Sequence, residues 1–119
     1  METQITRRQW PNEAARLAFE SAPGVLSYQV GKQLETGHAQ LYEIDGDGVS
    51  GFFVTRIEGD ELVLCACIGR GLVAGLKAVK AGALGKFKSV RCHTSDWRIE
   101  SLYPRVGLQY VESVYRMEL

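Results

Sequence analysis

The residues best suited to chemistry fall in three places along the chain. An almost wholly apolar run, ELVLCACI, leads into Gly69-Arg70-Gly71 and then into a helical pattern. Glycines at such a junction let backbone N–H groups approach a ligand closely, and a helix N-terminus adds unpaired donors and about half a positive charge. Arg70 adds a fixed cation, so the segment suits a phosphate or diphosphate, although the same spacing also occurs in plain tight connections. It is not a P-loop, because no Lys-Ser/Thr pair follows, and no acidic residue follows a second parallel strand where a dinucleotide fold would place one. The second place is Tyr103 in LYPRVGL, a proton donor or a packed ring; the third is His93, beside Arg91, a base or a structural residue. Cys65, Cys67, Cys92 and His93 together raise the question of zinc. Strand alternation puts Cys65 and Cys67 on one face, whereas tetrahedral sites usually draw such ligands from turns. Small apolar filling of a buried strand is the simpler account, and both thiols are expected to be buried, slow to react and metal-free.

The elements that must position these residues follow from periodicity. Ala14, Leu17 and Ala18 in PNEAARLAFE give a helix from Pro11 to Glu20, stopped at Ser21-Ala22-Pro23-Gly24. Leu26, Val30 and Leu34 at i, i+4 and i+8, with Gly37 at the C-cap position, favour a second helix from Val25 to Thr36 over a strand at VLSYQV. AQLYEI alternates, with Leu41 and Glu43 on one side and Tyr42 on the other, and DGDG turns it into Val49 to Ile57. After Glu58-Gly59-Asp60 comes Leu62 to Ile68, which has no polar face and so reads as a central strand covered on both sides. Leu72, Leu76, Val79, Ala83 and Phe87 then form a helical stripe with Lys77, Lys80 and Lys86 off it. Ser89 to Thr94 alternates and, after a crossover helix, is expected to run parallel to the preceding strand. Asp96 can cap a short helix reaching Tyr103, and LQYVESVYRMEL closes the chain as one long or two short strands. The predicted order, α-α-β-β-β-α-β-α-β, is an α/β fold with one mixed sheet, an antiparallel meander plus one parallel crossover, and helices on both faces.

The whole-chain quantities narrow the function classes. With 119 residues the chain is expected to be one domain, helices in 1–36 and the sheet in 37–119, and 45% apolar content is enough for a core without staples. Fourteen basic and fourteen acidic residues leave no net charge, so the basic footprint of a nucleic-acid binder is missing. No apolar run approaches the roughly 18 residues that span a bilayer, and METQITRRQW lacks a signal-peptide core. Three cysteines, two of them in CAC, do not make a disulfide framework, and a reducing, cytoplasmic setting is expected.

Order and motifs together resemble the GNAT superfamily of acyl-CoA-dependent N-acyltransferases over roughly Gly37 to Leu119, and GHAQLYEIDG with GFFVTRI is similar to its short phage and prophage forms. Leu102-Tyr103-Pro104-Arg105-Val106-Gly107-Leu108 resembles that family's L-Y-x-x-x-G-F segment, and Gly69-x-Gly71 the end of its R/Q-x-x-G-x-G/A motif. The resemblance implies acetyl-CoA or another acyl-CoA as cosubstrate, bound by Cys67, Ile68, Gly69, Arg70 and Gly71 where the strand of Cys65 and Cys67 splays from that of Cys92. It implies an unidentified amine as acceptor and Tyr103 as the general acid for the leaving thiolate. A side chain introduced at Gly71 is expected to fill the cradle while sparing the fold. Two positions depart from the pattern: Ala66 stands where Arg or Gln is usual, and Leu62 to Ile68 carries no carboxylate, leaving His93, Glu61 and Asp96 as replacements. These departures keep a second expectation open, an inactive GNAT-like structural or interaction protein such as a phage virion component. The resemblance also implies a homodimer through the terminal strands, and a phage-encoded member would have phage structural proteins as partners, in host cytoplasm or virion.

Overall fold

The computed structural model describes residues 3–22, 25–93, 109–111 and 114–119. Ten elements follow in order: β1 (Gln4–Arg8), α1 (Glu13–Glu20), α2 (Tyr28–Thr36), β2 (Gln40–Gly46), β3 (Val49–Glu58), β4 (Glu61–Arg70), α3 (Leu72–Ala83), β5 (Ser89–His93), β6 (Gln109–Val111) and β7 (Val114–Glu118). The strands form one seven-stranded sheet in the order β1-β2-β3-β4-β5-β7-β6. Among the described residues, neighbouring strands are antiparallel except β4 and β5, which run parallel and which α3 connects. This is the expected meander plus crossover. The last twelve residues make two short strands rather than one.

The helices begin and end for local reasons. Asn12 caps α1 by accepting from the Ala15 N–H at 2.9 Å, and Ser27 caps α2 by accepting from Val30 at 3.2 Å. Gly37 ends α2 in the left-handed conformation that its lack of a Cβ permits. The α3 stripe reaches Phe87 in sequence, but the helix stops at Ala83; Phe87 still packs against the core from the following turn.

Two cores cover the two sheet faces. On one, α3 lays Leu76, Val79 and Ala83 over Ile44, Phe53, Leu64, Val90 and Cys92, with Tyr42 stacked on Phe53 at 5.2 Å. On the other, Ala15 and Phe19 of α1 and Leu34 of α2 cover Leu41, Val54 and Ala66. Phe52 and Phe53 point to opposite faces, as alternation requires, and Trp10 packs against the second core.

The N-terminal third is more than the expected pair of helices, because β1 extends the sheet beyond β2. All five β1 residues are exposed, so the strand has no apolar side and leaves no hydrophobic alternation in the sequence. Polar pairs to β2 hold it instead: Arg8 to Glu43 at 2.8 Å and Arg7 to Gln40. Charged side chains on an exposed edge also discourage pairing with another chain.

Candidate active site

β4 carries the candidate site, and its two neighbours treat its two ends differently. At the first end it is clamped. Glu61 to Leu64 pair with Ser89 to Cys92 of β5 and with β3 on the other side. The buried Glu61 carboxylate accepts from the Ser89 hydroxyl at 2.7 Å, Arg91 reaches Glu61 at 3.5 Å and also pairs with Glu58, and Arg56 lies 3.5 Å from Glu58. These groups tie β3, β4 and β5 together where the strands run side by side.

The second end is open. The β4–β5 ladder stops at the pair Leu64–Cys92, whereas β4 continues for six residues to Arg70, paired among the described residues only with β3. The β3–β4 register slips at this same point: Thr55 faces Leu64 and Val54 faces Ala66. Cys65 is the extra residue of a β-bulge and has no register partner on either neighbouring strand, so backbone polar groups around it are withdrawn from the ladder.

The bulge corrects the expected placement of the cysteines. Leu62 and Leu64 lie in the α3 core, but Cys65 and Ala66 both pack on the α1/α2 core. Alternation then resumes, and Cys67, opposite Phe53, returns to the α3 face. Cys65 and Cys67 therefore lie on opposite faces, because an inserted residue reverses the phase of everything after it. As a residue Cys67 is exposed, with its sulfur set among protein atoms, whereas Cys65 is half-buried and Cys92 buried. Surrounding protein nevertheless pushes all three thiols up, Cys67 to about 12, and the Arg56 guanidinium, 3.8 Å from the Cys65 sulfur, opposes the rise there. No cluster of three His, Cys, Asp or Glu residues with metal-binding spacing occurs among the described residues.

Gly69-Arg70-Gly71 is less of a loop than expected. Gly69 and Arg70 are still in β4, paired with Gly51 and Ser50, and Gly71 alone forms the junction as the left-handed N-cap of α3, φ 80°. Among the described residues no side chain caps this helix, and no acidic residue occupies its first turn. The first helical bond is donated by Gly75 to the Gly71 carbonyl at 2.8 Å, which leaves the N–H groups of Leu72, Val73 and Ala74 without intrahelical acceptors. The exposed Arg70 stands beside them and makes no ion pair with another described residue. A Cβ at Gly71 would stand 2.0 Å from the Gly48 carbonyl oxygen, so a side chain there displaces backbone and does not spare the fold.

The other sequence candidates divide. His93 ends β5, one residue past the last β4–β5 pair, at the mouth of the opening. Glu61 is at the clamped end, about 13 Å along the strand from Cys65, and is occupied by Ser89 and Arg91. Tyr103, Asp96 and the LYPRVGL segment lie outside the described residues. Sequence reasoning missed the bulge and the contact of Arg56 with it. Cys65-Ala66-Cys67 is a run of small residues, so no change of phase between large and small side chains marks the inserted one. A separate cleft of about 620 Å³, lined by Arg7, Trp10, Thr36 and Gln40 among others, has no β4 or α3 residue in its wall.

No family model and no curated protein sequence matches the chain. Solved structures do. A ribosomal-protein-alanine N-acetyltransferase from Escherichia coli superposes with a TM-score of 0.61 at 11% identity, over 98% of this chain and 94% of the other. The PaiA N-acetyltransferase from Thermoplasma acidophilum, in complex with coenzyme A, gives 0.58 at 14% identity over 100% of both chains. A protein assigned as an acetyltransferase from Exiguobacterium sp. 255-15 gives 0.62 at 13% identity, over 99% and 94%. With the mixed sheet, the single parallel crossover and the strand order in place, the chain has the fold of the GNAT acetyltransferases.

Proposed function

We propose that the chain is an acyl-CoA-dependent N-acyltransferase, using acetyl-CoA or a related thioester and an amine acceptor. The observation that carries this reading is the coincidence at Cys65 of a β-bulge with the end of the β4–β5 ladder, six residues before an uncapped helix N-terminus. A cofactor arm with two amides can pair with the freed edge of Cys67 to Gly69 as an added strand. Its diphosphate meets the Leu72 to Ala74 N–H groups and Arg70. That arrangement brings the thioester to the bulge, where backbone N–H groups outside the ladder can stabilise its oxygen as charge develops.

In the reaction the neutral amine nitrogen attacks the thioester carbon, a C–N bond forms, the C–S bond breaks and the thiolate leaves. Tyr103 is assigned as the acid that protonates the thiolate. His93, at the mouth of the opening, is the candidate to take the proton from the nitrogen. The PaiA neighbour's complex with coenzyme A supports acyl-CoA as the donor. Calorimetric titration with acetyl-CoA and CoA tests the reading directly. One-to-one binding is expected, followed by thiol release in a panel of amines; no binding at millimolar concentration would overturn it.

A further inference from the structure

The residues that lead into Gly69, Ala66 to Ile68, carry no long polar side chain that could hold the junction between β4 and α3. What holds it is the neighbouring hairpin. Gly51 of β3 and Gly69 of β4 are register partners, and their backbones lie against each other. A Cβ on Gly51 would stand 2.1 Å from the Ile68 carbonyl oxygen and 2.8 Å from the Gly69 Cα. A Cβ on Gly69 would stand 2.1 Å from the Ser50 carbonyl oxygen and 2.7 Å from the Gly51 Cα. Both residues thus take conformations in which a Cβ would project along the sheet into the next strand. The same contact continues one step further, where the Gly48 carbonyl and the Val49 Cα lie over Gly71.

Resting on the acyltransferase reading, we propose that the β2–β3 hairpin is part of the diphosphate-binding apparatus and that Gly51 is its positioning residue. Gly51 touches no ligand. By admitting the Ile68–Gly69 peptide directly against β3, it fixes the path of the last β4 residues, seats Gly71 beneath the Gly48 carbonyl and so aims the first α3 N–H groups. Where a polar loop would normally be steadied by its own side chains, backbone contact with the hairpin does the work here. The hairpin therefore sets cofactor affinity from the far side of β4.

The experiment pairs CoA calorimetry with amide exchange at Gly75, whose N–H bonds the Gly71 carbonyl and so reports the seat of that residue. Gly51→Ala is expected to weaken CoA binding by at least ~10-fold, the scale of a misplacement on the order of an ångström, and to speed Gly75 exchange. Gly59→Ala is the control. It strains the turn between β3 and β4, at the other end of β3 from Gly51, φ 61°, where a Cβ meets nothing within 4 Å. Both readouts should stay within about twofold of the parent. One glycine inserted after Gly48 moves its carbonyl off Gly71 without adding a side chain, and the same two changes are expected even if Gly51→Ala does not fold. Unchanged affinity and exchange in the insertion variant, or equal losses in Gly59→Ala, would overturn the proposal. A parent that binds no CoA instead overturns the acyltransferase reading, while Gly75 exchange still decides whether the hairpin sets the start of α3.

Discussion

Cys67 is an exposed residue on the stretch of β4 that pairs with β3 and has left β5, yet its sulfur is set among protein atoms, and this, with Cys65 adding to the effect, pushes its thiol from 9.0 up to about 12. Exposure alone would make it the reactive cysteine of the chain; its ionisation says otherwise. Three units cut the thiolate fraction at pH 7 about a thousandfold, since only the thiolate attacks. A more basic thiolate is a better nucleophile by about 0.4 to 0.5 log unit per unit of pKa, which returns roughly 15- to 30-fold. The net expectation is a reaction with an aromatic disulfide reagent about 30 to 60 times slower than that of an unstructured cysteine. Below its pKa the thiolate fraction grows tenfold per pH unit, so the folded-state rate should still be climbing at pH 9, where the unfolded chain is levelling off. Cys67→Ser should remove this slow phase, and saturating CoA should suppress it by covering the strand. The assay is absorbance of the released thiol against time, at several pH values, with and without CoA. A native rate at pH 7 equal to that of the denatured protein would refute the account of the thiol; a rate indifferent to bound CoA would refute the account of the cleft.

Other substitutions separate binding, chemistry and packing. Arg70→Glu puts a negative charge beside the α3 N-terminus and should raise the Kd for CoA about 3- to 30-fold at low salt, with the effect shrinking at high salt in the same titration. Tyr103→Phe should lower kcat by roughly 10- to 1,000-fold in a thiol-release assay while leaving CoA affinity and the melting temperature nearly unchanged. Glu61→Gln should leave kcat within about twofold but lower the melting temperature, because Glu61 joins Ser89 and Arg91 at the clamped end of β4. Leu41→Ala, at a side chain 1% exposed in the α1/α2 core, should cost about 3 kcal/mol in denaturant unfolding.

Much of the fold was legible because its elements carry strong local signals. The cap Gly37, the Leu76–Val79–Ala83 stripe and the alternation of Leu41 and Tyr42 each state a local rule that the structure obeys, whereas the second helix begins at Tyr28 behind the cap Ser27 and not at Val25. β1 was not legible, since a strand held by Arg7 and Arg8 pairing with β2 side chains has no hydrophobic period to read. At the candidate site the strand-to-helix junction was legible in the sequence and its form was not. GRG lies where β4 meets α3, but its glycines also answer to Gly48 and Gly51, residues 18 and more positions away in the chain, and no local window contains that contact. The bulge was hidden for a different reason: register is a property of two strands together, and three small residues in succession do not disclose which one is extra.

The bulge also separates the two cores from the opening in a simple arithmetical way. Leu62 and Leu64 before it face α3, while Ala66 and Ile68 after it face α1 and α2, with Cys67 back on the α3 side. Remove Cys65 from that series and the remainder alternates without interruption: Leu64 to one face, Ala66 to the other, Cys67 and Ile68 in turn. Every apolar side chain would keep its core. The sheet is thus a regular one of ordinary register to which a single residue has been added, and the length of β4, rather than the identity of any side chain in it, is what makes the strand yield at that point.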